Sequence, residues 1–303
     1  MMSEGAEIIS EGEFRSVVRA AIRAPSSHNT QPWLFELAED TIFLYADRMR
    51  ALPANDPFDR ELTLSCGAAL FNLRASLATL DISAHIELLP RDPKSELMAT
   101  VGLKPGPNAE MARLAIDIDE RRTTRSELTG DVPDTELLSR MKAAAAAEGA
   151  WIEVLSERSR IETLCGLIAE GDRRQFSDPT WRRELASWLH PRRSGDGLAM
   201  PGFSRPIAKL VVSAFDLGKS TGRKDARLAE EAPCLAVLGT ELDLDENWLM
   251  AGQALQRSLL VAASQGVQAG YMNQPCQVSE LRPRLRSILD ERGYPQVVMR
   301  LGL

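Results

Sequence analysis

The apolar positions of the chain follow two spacings, one of helices and one of strands. Leu70, Leu73, Leu77 and Leu80 recur at three, four and three residues, the stripe of an amphipathic helix. Leu255 to Ala263 is apolar nearly all round, as expected of a helix buried between layers. Glu13 to Ala21 and Glu136 to Ala144 predict two further helices, each running towards a tryptophan, Trp33 or Trp151. A short strand-like stretch follows each tryptophan, Leu34 to Leu37 or Ile152 to Leu155. Met98 to Leu103 and Val298 to Leu303 predict closing strands, and the alternation of Leu114, Ile116 and Ile118 predicts one more.

These elements come twice, in one order. Glu13-Phe14-Arg15-Ser16 aligns with Glu136-Leu137-Leu138-Ser139, and Arg19-Ala20-Ala21 with Lys142-Ala143-Ala144. Gly67, Ala69, Leu70, Ala78, Ala84 and Pro90 stand opposite Gly252, Ala254, Leu255, Ala263, Ala269 and Pro275 at one constant offset. Met98 to Leu103 matches Val298 to Leu303. The expectation is an α+β protein of two tandem diverged copies, 1–118 and 119–303, with extra residues in the second between about Gln175 and Asp225. The competing explanation is that any two αβ stretches rich in Ala and Leu can be aligned.

With 303 residues, 44% apolar and 26% charged, the chain can bury a substantial core. Its formal charge of -7 gives no general attraction to nucleic acid or to an anionic membrane surface, so an anionic ligand must be met by a local basic cluster. No stretch approaches a membrane span and the N-terminus lacks a basic region followed by an apolar run, so a cytoplasmic location is expected. Cys66, Cys165, Cys234 and Cys276 are widely spaced, and His28, His85 and His190 form no ligand pattern. Neither a disulfide framework nor a metal site is expected.

Each copy carries one feature that the other lacks. The first interposes Pro25-Ser26-Ser27-His28-Asn29-Thr30-Gln31-Pro32 before Trp33. Its prolines fix the backbone, and Ser26, Ser27, Asn29 and Gln31 offer short donors and acceptors suited to a ligand rim. The same residues also suit a helix C-cap with a turn. The second copy opens with Arg121-Arg122-Thr123-Thr124-Arg125, a compact anion receptor or, on the alternative reading, a solvated charge run. Together the two features would make one asymmetric site at the seam between copies.

These residues resemble the nitroreductase superfamily of flavoproteins, and its fused, Acg-like branch in particular. Pro25 to Trp33 match the family's Pro-Ser-Ser-x-Asn-x-Gln-Pro-Trp loop, and Arg121 to Arg125 match its Arg-x-Ser/Thr-x-Arg/Lys motif. The resemblance implies a nitroreductase-like pseudo-dimer with antiparallel-rich mixed sheets, long central helices and FMN at the interface. Arg121, Thr123 and Arg125 would hold the phosphate, with Arg122 in support and Arg300 standing in for a basic C-terminal extension that this sequence lacks. Pro25, Ser26, Ser27, Asn29 and Gln31 would line the flavin, and His28 lies within the same loop. Met272, Asn273 and Gln274 stand where the family places backbone against the ring, without its usual Pro-x-Glu-Gly. Residues 191–225 of the insertion, with an apolar centre from Ile207 to Phe215, resemble a lid.

The implied activity is transfer of hydride from NAD(P)H through FMN to a flat acceptor such as a nitroaromatic or quinone. The alternatives are an FMN storage or sequestration protein with a closed lid, and a module that has lost its cofactor. The fused unit would be a pseudo-dimeric monomer that can pair further. Ser213 to Ser220 nearly follows GxxxxGK[ST] but lacks the leading glycine, and Gly218 to Gly222 matches GxSxG without a preceding strand. Both are read as accidents of a loop.

Overall fold

Ser10 starts the first helix with a reciprocal cap, its hydroxyl accepting from Glu13 N while the Glu13 carboxylate accepts from Ser10 N. The computed structural model describes residues 8–90, 96–190, 195–199, 212 and 217–303. Helix α1 (Glu11–Ala21) leads through the proline loop into the hairpin β1 (Trp33–Ala38) and β2 (Thr41–Ala46), then α2 (Arg60–Ala78), β3 (Ile82–Leu88) and β4 (Leu97–Pro105). These strands form an antiparallel sheet in the order β1-β2-β4-β3. In β2 the buried residues Ile42, Leu44 and Ala46 alternate with half-buried ones, because one face of the sheet packs on the helices.

The second half runs α3 (Ala109–Ala115), α4 (Thr135–Ala146), β5 (Trp151–Leu155), α5 (Arg158–Ser177) and α6 (Pro179–Ser187), with the short pair β6 (Leu189–His190) and β7 (Leu198–Ala199). Helix Gly218–Glu230, β8 (Cys234–Thr240), helix Asp245–Ala263, β9 (Gln268–Tyr271), the short helices Gln274–Gln277 and Arg282–Ile288, and β10 (Tyr294–Gly302) follow. The order β5-β8-β10-β9 is again antiparallel throughout. In the first sheet β1 and β2 are joined by Glu39 and Asp40 alone, whereas residues 156–233 separate β5 from β8. This connection begins before the expected 175–225 stretch. Its helix α5 and helix Gly218–Glu230 cover the second face of the sheet, which is why β8 is buried at every position. No described helix is long and apolar enough to cross a membrane.

The alternation of Leu114, Ile116 and Ile118 does not make a strand. Asn108 caps α3 by accepting from Met111 N, and residues 116–118 continue as one 3-10 turn. Met111 and Ile118 are buried with Leu114 packed beside them, a three-then-four spacing, and Ile116 is 75% exposed. The helical face, not the alternation, matches the burial. Val212 apart, Ile207 to Phe215 lies outside the described residues, as do 191–194. Gly218 to Gly222 forms the first turns of a helix, and the Ser220 hydroxyl donates to Leu217 O at 2.9 Å.

The two long helices α2 and Asp245–Ala263 cross at Gly67 and Gly252. A Cβ on Gly252 would overlap the Leu64 carbonyl oxygen, and one on Gly67 the Leu249 carbonyl oxygen. Beyond the crossing, Gln256 Nε2 donates to Asn72 Oδ1 at 2.7 Å, and Glu148 accepts from Arg74 at 2.6 Å and Arg257 at 2.8 Å. Gly252→Ala is expected to lower stability by about 3 kcal/mol or more, since the overlapped Leu64 carbonyl is backbone and cannot yield by rotation. Urea unfolding of the variant checks this, and an unchanged midpoint would contradict the close crossing.

Candidate functional site

The arginine motif is held as an extra rail on the outer edge of β9. Thr123 pairs in parallel with Ala269, Thr124 N donates to Ala269 O at 2.8 Å, and Arg122 N donates to Gln268 Oε1 at 2.6 Å. Arg300 on β10, 1% exposed, donates to the carbonyls of Thr124 and Ser126 at 3.2 Å. Its terminal nitrogens therefore brace the motif's backbone. Gly270 leaves room for this, because a Cβ there would overlap the Thr124 carbonyl. The Arg122 guanidinium folds back onto the carbonyls of Asp119 and Arg121.

Arg121 bridges the halves. Its Nη2 donates to Arg23 O at 2.6 Å, at the end of α1, and Nη1 donates to Thr123 Oγ1 at 3.2 Å. Its Nε is buried without a partner. A buried donor left unpaired costs about 1–3 kcal/mol, so the arrangement calls for an acceptor. Arg125 lies on the same side, near Tyr271 and His28.

Opposite, Pro25 is buried and Ser27–Asn29 forms a single 3-10 turn. His28, Asn29 and Gln31 have φ of 46°, 55° and 54°, a region that costs a non-glycine residue about 1 kcal/mol or more. Local bonds hold this shape. Ser26 Oγ accepts from Gln31 N at 3.0 Å, and Ser27 Oγ donates to Glu61 at 2.5 Å. The Asn29 amide donates to the carbonyls of Gly195 and Gly197 at 2.9 and 3.0 Å, so it grips the insertion. Arg50 adds a bond to Asp196 at 2.8 Å and another to Thr30 O at 2.9 Å.

His28 feels the charges of both Glu61 and Arg125, with the Trp181 ring edge-on at 6.5 Å. Burial lowers its pKa to about 4 against the pull of Glu61, and Arg125 lowers it further. The imidazole is therefore neutral near pH 7, and its Nδ1 is buried without a partner.

Glu61 ties the loop to the second half. Only 4% exposed at the start of α2, its carboxylate accepts from Ser27, from Asn273 at 3.2 Å and from Gln277 at 2.9 Å, with Asn55 and Arg60 more distant at 3.4 Å. These donors let a carboxylate stay buried. Met272 is buried in the core, and Asn273 also accepts from Val298 N at 3.0 Å. Gln274 donates to Asp172 and Asp225 at 3.2 and 3.1 Å. An open groove of 730 Å³ between α1 and β1 touches the loop only at Gln31 and includes none of the arginine motif. Unpartnered polar atoms, not volume, mark the candidate site.

The sequence matches no family model. A Mycobacterium tuberculosis protein named as an NAD(P)H nitroreductase is 31% identical over 296 residues, covering 95% of this chain and 84% of its own. The chain belongs to the nitroreductase family. The Acg protein of the same organism, named likewise, is 26% identical over 303 residues, covering 96% of this chain and 88% of its own. Among solved structures, an Anabaena variabilis nitroreductase has a TM-score of 0.49 at 12% identity, over 86% of this chain and 69% of its own. A Bacteroides fragilis nitroreductase with bound FMN has a TM-score of 0.39 at 16% identity, over 62% and 87%.

Within this nitroreductase-family chain, sequence reading missed Glu61, Tyr271 and the pair Asp172 and Asp225. Glu61 looks like an ordinary first-turn acid of a helix. Tyr271, directly before Met272, offered a polar tip that could have been noticed. Asp172 was hidden among the charges of α5.

Asp172 is 3% exposed, with one carboxylate oxygen unpartnered. Burial, followed by the nearby Asp225, raises its pKa to about 7; Asp225 is raised by burial too, against Lys224 and Arg300. A carboxyl with a raised folded pKa gives stability that is complete below its unfolded value near 3.8 and is lost as pH rises towards 7. Asp172→Asn keeps the acceptor for Gln274 and removes that loss. The variant is expected to be more stable than the wild type at pH 8, by about 3 kcal/mol, with little difference at pH 4. Denaturant titrations at the two pH values test this, and parallel curves would count against a buried protonated Asp172.

Proposed function

We propose that the proline loop and the arginine motif together bind FMN and that the protein passes hydride from NAD(P)H through it to a flat acceptor such as a nitroaromatic or quinone. The observation that carries the reading is the meeting of two segments about a hundred residues apart, joined by the Arg121 to Arg23 bond, around buried donors with no acceptor. Arg121, Thr123 and Arg125 supply the charge-assisted donors a phosphate needs. Arg122 and Arg300 position them from the backbone side. Neutral His28 and the Ser26 to Gln31 turn border the ring position, Glu61 keeps that turn in register with Asn273, and Met272 and Gln274 form the second wall. When bound, FMN supplies the hydride chemistry, and the protein holds and orients it and excludes water.

The same reading takes residues 1–118 and 119–303 as two diverged copies in a pseudo-dimer. Two sheets of one strand order support it, as does the contact of Gly67 with Gly252, its partner in the alignment. Residues meet their own equivalents only on a twofold axis. A second reading, storage of FMN with little turnover, is favoured by the grip of Asn29 and Arg50 on residues 195–197. Residues 195–197 would then stay held against the loop.

FMN is expected to bind at one per chain with a visible absorbance band, and Arg121→Ala and Arg125→Ala should each weaken it by tenfold or more, corresponding to about 1.5–3 kcal/mol. Equilibrium dialysis with FMN measures both. Absence of any flavin uptake by the wild-type protein would sink the reading. Steady-state NAD(P)H oxidation with a quinone or nitroaromatic separates the readings, since a storage protein holds flavin but turns over negligibly.

A further inference from the structure

Tyr271 ends β9, the strand that carries the arginine motif on its edge. Its backbone is fixed by pairing with Met299 and by the following bond from Met272 N to Val298 O at 2.9 Å. The phenol oxygen is buried and makes no aligned hydrogen bond, although Arg121, Thr123 and Arg125 all lie beside it. Burial pushes the phenol above its ordinary value, so it stays protonated at neutral pH.

The chemistry of this group is one-sided. Guanidiniums only donate, and a phenol's hydrogen also needs an acceptor. With two arginines and one Thr123 hydroxyl as neighbours, the Tyr271 hydrogen has no anionic acceptor in the protein, and Arg121 Nε beside it is in the same position. Two neighbouring buried donors with no aligned acceptor but the Thr123 hydroxyl beside the phenol fit a multiply charged oxyanion, which can take several donors on separate oxygens.

We propose that Tyr271 is a further phosphate ligand of this site, donating its hydroxyl to the same phosphate that Arg121 and Arg125 hold, so that it discriminates a phosphorylated flavin from its dephosphorylated form. The proposal rests on the FMN reading above and adds a residue and a selectivity to it. The role is confined to the phosphate end, because Thr123, Arg121 and Arg125 surround the hydroxyl on the β9 edge.

The test uses apo protein and its Tyr271→Phe variant, which keeps the ring and removes only the hydroxyl. Each is titrated with FMN and with riboflavin by flavin fluorescence, and with inorganic phosphate by thermal melting. The expected result is an FMN Kd raised about tenfold or more, a riboflavin Kd unchanged, and a smaller phosphate-induced rise in Tm in the variant. Equal losses for FMN and riboflavin would overturn the phosphate assignment, because the hydroxyl would then serve the ring or the fold. Unchanged FMN affinity with an unchanged phosphate response would overturn it as well. Wild-type protein that binds neither flavin removes the FMN reading itself, a result distinct from either of these.

Discussion

The structure depends on how closely two helices can approach. At Gly67 and Gly252 the backbones of α2 and Asp245–Ala263 touch, with no side chain between them. This contact draws together two cores that would otherwise be separate, one on each sheet. It also sets where the far ends of those helices point. The start of α2 carries Glu61 to Asn273 and Gln277, and β9, which follows the second helix, brings its arginine rail to the end of α1. Widening the crossing by one methyl would be felt at every one of these junctions, because packed interiors transmit strain rather than absorb it.

Around that crossing the polar groups divide their labour. Some are engaged by the fold: Arg122 and the terminal nitrogens of Arg300 on backbone carbonyls, Ser26 on Gln31, Asn29 on the insertion. Others keep buried, unfilled capacity, among them Arg121 Nε, Tyr271 Oη and His28 Nδ1, with Arg300 Nε behind the arginine motif. The first group makes a rigid frame with strained turns in it, and the second is what a ligand would satisfy. Trp181 and residues 195–197 of the insertion meet the same loop, so the loop and these parts of the insertion are positioned together.

Much of this was legible in one dimension. The leucine stripe before Leu80 and the apolar run after Leu255 became the two central helices, and the segments beside Trp33, Trp151, Met98 and Val298 became strands, because burial of a helix or sheet face imposes a period that local sequence records. Both site motifs were visible for a related reason: prolines, serines and clustered arginines are chemically conspicuous without context. Residues 114–118 show the limit, since three apolar residues fit either period and only Met111 and the exposure of Ile116 decide between them.

What the sequence determined by itself is therefore the two central helices, the helix and strand flanking each tryptophan, the closing strands, the order of these and the two conspicuous motifs. Tertiary structure alone decided that Asn29 turns to the insertion, that Arg300 braces a backbone, that Glu61 joins Ser27 to Asn273, and that Tyr271 and Asp172 are buried with polar atoms unmet. The physical reason is that a polar group's role is fixed by the partners that surround it. Those partners are 34 residues away for Ser27 and Glu61 and 212 for Glu61 and Asn273, distances over which a local pattern carries no information.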